Sequence, residues 1–68
     1  MRMPLEYYNM IGVKMRITLF NGSMYEGVFR GPESEFDSES GKPEIELDVG
    51  QYLIGFPEDE IASVELLK

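Results

Sequence analysis

The chain has 68 residues, 43% of them hydrophobic, and neither cysteine nor histidine; it is one domain in length, and disulfides, thiolate or imidazole metal sites and nucleophilic triads are excluded. Its formal charge of −7 is uneven, because residues 1–30 carry four basic and two acidic side chains whereas residues 31–68 carry two basic and eleven acidic ones. An acidic surface repels phosphate backbones, so charge disfavours nucleic acid and favours a protein partner with a basic surface.

From the N-terminus, Leu5, Tyr8 and Ile11 recur at spacings of three within Met3 to Ile11. This predicts one or two helical turns, with Pro4 tolerated at the first. Such a helix is expected to cover an open end of a barrel, with the Tyr7 hydroxyl turned to solvent or a partner. Gly12 releases the chain into the hairpin Lys14 to Arg30. Val13, Met15, Ile17 and Leu19 alternate there with Lys14, Arg16 and Thr18, giving a strand one apolar and one polar face. Asn21-Gly22 predicts a tight type I′ turn. The returning strand, Met24 to Arg30, contains Gly27, which predicts a bend, a bulge or a close approach of backbones.

Gly31 to Pro43 is dense in turn formers and acids, with Phe36 its one large apolar residue, and reads as a long loop, either functional or a linker. Glu44 to Val49 alternates cleanly, placing Ile45, Leu47 and Val49 on one face and a carboxylate stripe of Glu44, Glu46 and Asp48 on the other. Gln51 to Phe56 predicts a fourth strand with Tyr52, Ile54 and Phe56 inward and Leu53 outward. Pro57 to Glu60 turns the chain, and Ile61 to Leu67 closes it, with Ala62, Val64 and Leu66 opposite Ser63, Glu65 and Leu67. The expected fold class is mainly β: a five-stranded, bent antiparallel small barrel with a short N-terminal helix, spanning 1–68 as a single domain. A core of this size leaves only ~3–5 kcal/mol of net stability, so barrel closure or self-association is expected to supplement it.

This order of parts resembles the Sm-like family of small β-barrels. The likeness is most specific from Ile17 to Gly31: Asn21-Gly22 stands where that family usually has Asp-Gly, Gly27 stands at the glycine that lets the second strand bend, and Gly31 follows at the family's spacing. Phe56 to Leu66 is similar to the short turn and last strand. The resemblance implies assembly by pairing the fourth strand of one copy with the fifth strand of the next. Leu53 and Leu67, left over from the alternation of those strands, are the expected interface residues. The family's RNA-binding asparagine has no counterpart in Pro32 to Asp37, and Pro57 to Glu60 stands where a basic residue and glycine are usual.

Catalysis is not expected, since without His or Cys the acid–base machinery left is carboxylate pairs, and these lie on a loop and an exposed strand face. Asp37-Ser38-Glu39-Ser40-Gly41 has hard oxygen ligands, but its glycine and twelfth-position spacing do not fit a helix-loop-helix calcium site. No metal and no cofactor are expected. No apolar run reaches the roughly 18 residues that span a bilayer, and no secretory signal pattern opens the chain, so the expectation is a cytoplasmic homo-oligomer with no membrane contact. Three binding functions stay open. One is a protein-binding module whose acidic face, Glu35, Asp37, Glu44, Glu46 and Asp48, meets a basic surface; its sharper form is an inhibitor imitating nucleic-acid charge. A second is an Sm-like RNA-binding ring. The third is an oligomer holding a nucleotide-like ligand, with Tyr7, Tyr8, Tyr25 and Tyr52 as walls. For RNA or a ligand the candidate contacts are Lys14, Arg16, Arg30, Phe36 and Tyr7, although for Lys14 and Arg16 pairing with Glu65 or another neighbouring strand acid is the favoured role.

Overall fold

A computed structural model of the protein describes residues 5–34, 36 and 41–67. A 3₁₀ helix, Leu5–Asn9, leads into strands β1 (Lys14–Leu19), β2 (Met24–Glu33), β3 (Glu44–Asp48) and β4 (Leu53–Pro57). A 3₁₀ turn, Glu58–Glu60, then passes the chain to β5 (Ile61–Leu66). The strands form one antiparallel sheet in the order β4-β3-β2-β1-β5. The mainly β, five-stranded antiparallel class is as the alternation predicts. The barrel, however, is open, because β4 and β5 are the sheet's two edges and do not pair with each other.

The sheet is strongly curled. A flat single sheet with its side chains is only ~10 Å thick, whereas the Cα atoms extend over 31 × 26 × 24 Å. Curling brings Tyr25 of β2 against Phe56 of β4, two strands away, with ring centroids 5.0 Å apart. The concave side holds the core of Met15, Ile17, Phe29, Ile45, Leu47, Phe56 and Ile61, every strand contributing. At Gly27 the backbones of β2 and β3 come so close that a side chain would collide with the Asp48 carbonyl and stand 3.1 Å from Leu47 Cγ. Of the three outcomes expected for that glycine, close backbone approach is the one found.

Several local features differ from the alternation. The hairpin turn is not type I′, since that turn needs a positive φ at Asn21 and no non-glycine residue among the described ones has it. Instead Gly22 alone takes φ +92°, its N–H donates to the Leu19 carbonyl at 3.0 Å, and the Leu19 N–H donates to the Ser23 carbonyl at 2.8 Å. Phe20, Asn21 and Gly22 thus form a three-residue loop with glycine at its left-handed position. Asn21 contributes through its side chain, whose Oδ1 accepts the Ser23 N–H at 2.9 Å. The second strand runs on to Glu33, beyond the predicted start of the loop, because Pro32 and Glu33 pair with Ile45 and Glu44 after a bulge at Arg30. β4 starts at Leu53, and Tyr52 is 61% exposed where an inward side chain was predicted.

A second bulge puts Ala62 between the pairs Thr18–Ser63 and Leu19–Ile61. It turns Ile61 into the core on the same side as Val64 and Leu66, where strict alternation sends it outward. At the N-terminus Tyr7, Tyr8 and Met10 pack against the core as expected of a covering helix, but Ile11 is 59% exposed, resting near Gly31. The Tyr8 hydroxyl donates to Glu58 Oε1, tying this helix to the turn before β5. No helix among the described residues is long and apolar enough to cross a membrane.

Candidate interaction surfaces

Cross-strand register decides which outward side chains meet. Pairing of Arg16 with Glu26 on one side and Glu65 on the other lines the three up across β5, β1 and β2. Arg16 Nη2 lies 2.7 Å from Glu26 Oε2 and Nη1 lies 3.4 Å from Glu65 Oε1. The Glu26 hydrogen bond first, then attraction to Glu26 and Glu65, raises the guanidinium above its ordinary value, so Arg16 stays charged. Arg30 projects from its bulge with Nη2 3.3 Å from Asp48 Oδ2. Lys14 is exposed and makes no ion pair among the described residues. The three cations proposed as ligand contacts therefore differ in availability: two are held by neighbouring carboxylates and one is not.

The carboxylate stripe on β3 is not a uniform acidic face. Glu44 is buried, 7% exposed, its carboxylate lying against Gly55, where any larger residue would displace it. Asp48 is engaged twice, by Arg30 through Oδ2 and through Oδ1 by the Gly50 N–H at 2.8 Å. Glu46 sits half-buried between Gly31 and Gly55 in its cross-strand row and has no ion pair among the described residues. The expectation of a row of three solvated carboxylates is thus corrected: one is buried, one is occupied, and one remains. Glu35 and Asp37 lie outside the described residues. Phe36 is 89% exposed, while Tyr7 is half-buried against the core. No three described acids are close enough together to hold a metal ion.

Leu53 and Leu67 stand at opposite ends of one row. Leu53 pairs with Asp48, Asp48 with Val28 and Val28 with Lys14, and the Leu67 N–H donates to the Lys14 carbonyl at 2.9 Å. Leu53 is 53% exposed on edge strand β4, and Leu67 is half-buried just beyond β5. Each predicted interface leucine therefore marks one open edge of the sheet.

One concavity was not foreseen. A cleft of about 240 Å³ lies between the hairpin loop and the Glu58–Glu60 turn, lined by Leu19, Phe20, Asn21, Asp59 and Glu60. The Phe20 N–H donates to the Glu60 carbonyl at 3.1 Å, which joins its two walls. Phe20 is 69% exposed and Met24, at the far side of the same loop, 64% exposed. The signal for it was present: Phe20 follows Leu19 without a polar residue between them, at a turn, where only one of two consecutive apolar side chains can face the core. Across from Phe20, Asp59 Oδ2 lies 3.2 Å from Lys42 Nζ, both side chains exposed. Glu60 has no ion pair among the described residues.

Comparison with protein-family models, curated proteins and solved structures finds no match to this chain.

Proposed function

We propose that this chain is a non-catalytic, Sm-like interaction module of the cytoplasm that self-associates edge to edge and binds a basic partner protein. The observation that carries the reading is that β4 and β5, the strands whose joining the Sm-like resemblance implies, are the two open edges of the sheet. An open edge presents a row of unpaired N–H and C=O groups, which another strand can satisfy. Joining β4 of one copy to β5 of the next would also cover Leu53 and Leu67. The engagement of Arg16 and Arg30 by carboxylates, within an acidic chain, supports a protein partner over RNA.

Sedimentation velocity over a wide range of concentration tests the assembly. The wild-type chain is expected to run as an oligomer, and Leu53→Lys, which adds a charge to an exposed edge without touching the core, is expected to return it to monomer with its circular dichroism unchanged. A wild-type chain that stays monomeric at the highest concentration reached overturns self-association. Nucleotides co-purifying with the oligomer, visible in its ultraviolet absorbance, would favour the RNA-binding reading instead.

A further inference from the structure

We infer that the cleft between the hairpin loop and the Glu58–Glu60 turn docks a segment of a partner protein in which one large apolar side chain is flanked by lysine or arginine. This rests on the reading of the chain as a module for a basic protein, and it places the contact away from the β3 carboxylates.

Size selects the class of occupant. Clefts that enclose a whole small molecule measure roughly 300–1,000 Å³, whereas this one measures about 240 Å³, room for a single anchoring side chain. The lining divides by chemistry. Leu19 and Phe20 supply apolar surface, and Phe20 leaves 69% of its own area in water while Met24 leaves 64%. The exposed Phe20 ring at the cleft is apolar surface that a partner can remove from water, and Met24 at the start of β2 is exposed as well. Asp59 and Glu60 supply negative charge, and no cation is among the described residues that line the cleft.

The charges are available to a partner. Glu60 has no ion pair among the described residues, and the Asp59–Lys42 pair is solvent-exposed on both sides, the kind of contact that contributes little and exchanges readily. The same acids repel nucleic acid. They complement an arginine or lysine beside an apolar anchor, and aromatic residues and arginine are the side chains enriched at the centres of protein interfaces. The walls are also organised in advance: the Phe20 N–H to Glu60 carbonyl bond joins them, and the Gly22 and Ser23 N–H groups fix the loop through the Leu19 carbonyl and Asn21 Oδ1. Docking therefore orders little chain on this side.

The test is an amide-resolved NMR titration of the full ¹⁵N-labelled chain with the blocked peptide Ala-Lys-Phe-Arg-Ala, against one control with alanine for the phenylalanine and another with glutamate for both basic residues. The expected result is shifts confined to Leu19–Ser23 and Asp59–Ile61, weakened about tenfold or more by the alanine control, roughly the loss of 1.4 kcal/mol of affinity. The glutamate control is expected to cause none. Glu60→Lys and Phe20→Ser, both at exposed positions, are each expected to abolish the wild-type response while leaving the rest of the spectrum in place. Shifts centred on Glu46 and Asp48 instead would overturn the cleft but keep the basic-partner reading. Shifts produced equally by the glutamate control, or by raising the protein concentration alone, would overturn the proposed occupant in favour of an uncharged anchor or a second copy. No shift anywhere at millimolar peptide would overturn both the cleft and the reading it rests on.

Discussion

At Gly27 the addition of one methyl group sets two backbones against each other. The Asp48 carbonyl occupies the space a Cβ needs, and neither strand can retreat without disturbing Phe29 and Leu47 in the core. Gly27→Ala is therefore expected to cost about 1–3 kcal/mol, which in a domain of this size lowers the melting temperature by roughly 4–8 °C per kcal/mol. Gly22 provides the comparison, since it has open space around it but sits at φ +92°; Gly22→Ala is expected to cost only about 1–2 kcal/mol of left-handed strain. Thermal melts separate the mechanisms: asparagine, which tolerates the left-handed region, should recover part of the Gly22→Ala loss at position 22, whereas no side chain fits against the Asp48 carbonyl at position 27. The special position of Gly27 was legible in the sequence, as a glycine inside a β-rich run carries its own signal. The burial of Glu44 was not. It depends on Gly55 of a neighbouring strand lacking a side chain, and alternation along β3 distinguishes two faces without saying what lies over each.

Strand identity was readable for the same reason that strand phase was not. Period-two alternation is a property of one segment and located all five strands to within a few residues. The bulges at Arg30 and Ala62 are properties of pairs of segments, each adding one residue against a partner, and they reset which side chains face inward. That is why Ile61 is a core residue, and why Gly31 to Glu33, predicted as loop, belongs to β2. The ladder also fixes which amides face outward at the edges. The Leu67 N–H bonds to β1, so in the alternation of β5 Val64 and Leu66 turn their N–H groups away. Tyr52 accepts from Val49, so Leu53 and Gly55 of β4 do likewise. Hydrogen exchange is expected to be fast at these four amides in dilute protein and slower by tenfold or more, as an order-of-magnitude expectation, where the chain is associated. Unchanged exchange at all four amides across an association transition would show that the junction lies elsewhere.

For the whole molecule, the margin of stability is the controlling quantity. A core of seven buried side chains among the described residues leaves about 3–5 kcal/mol, and truncating one of its larger members, as in Phe29→Ala, costs ~3–5 kcal/mol. The isolated Phe29→Ala chain is thus expected to be largely unfolded at ambient temperature by circular dichroism. Association adds stability by mass action, so the wild-type melting temperature is expected to climb with protein concentration and that of Leu53→Lys to stay flat.

The order β4-β3-β2-β1-β5 also limits what association can produce. Five strands, each antiparallel to its neighbour, leave the outermost two running in the same direction, and the two edges have different sequences. A junction between unlike edges is head-to-tail: a dimer made this way still carries one unsatisfied β4 and one unsatisfied β5, and so does every longer open chain of copies. Only an assembly whose last copy meets its first has no edge left. Curvature between neighbours then decides between a finite closed species and a growing filament, and partly built intermediates should be scarce beside monomer and the completed form.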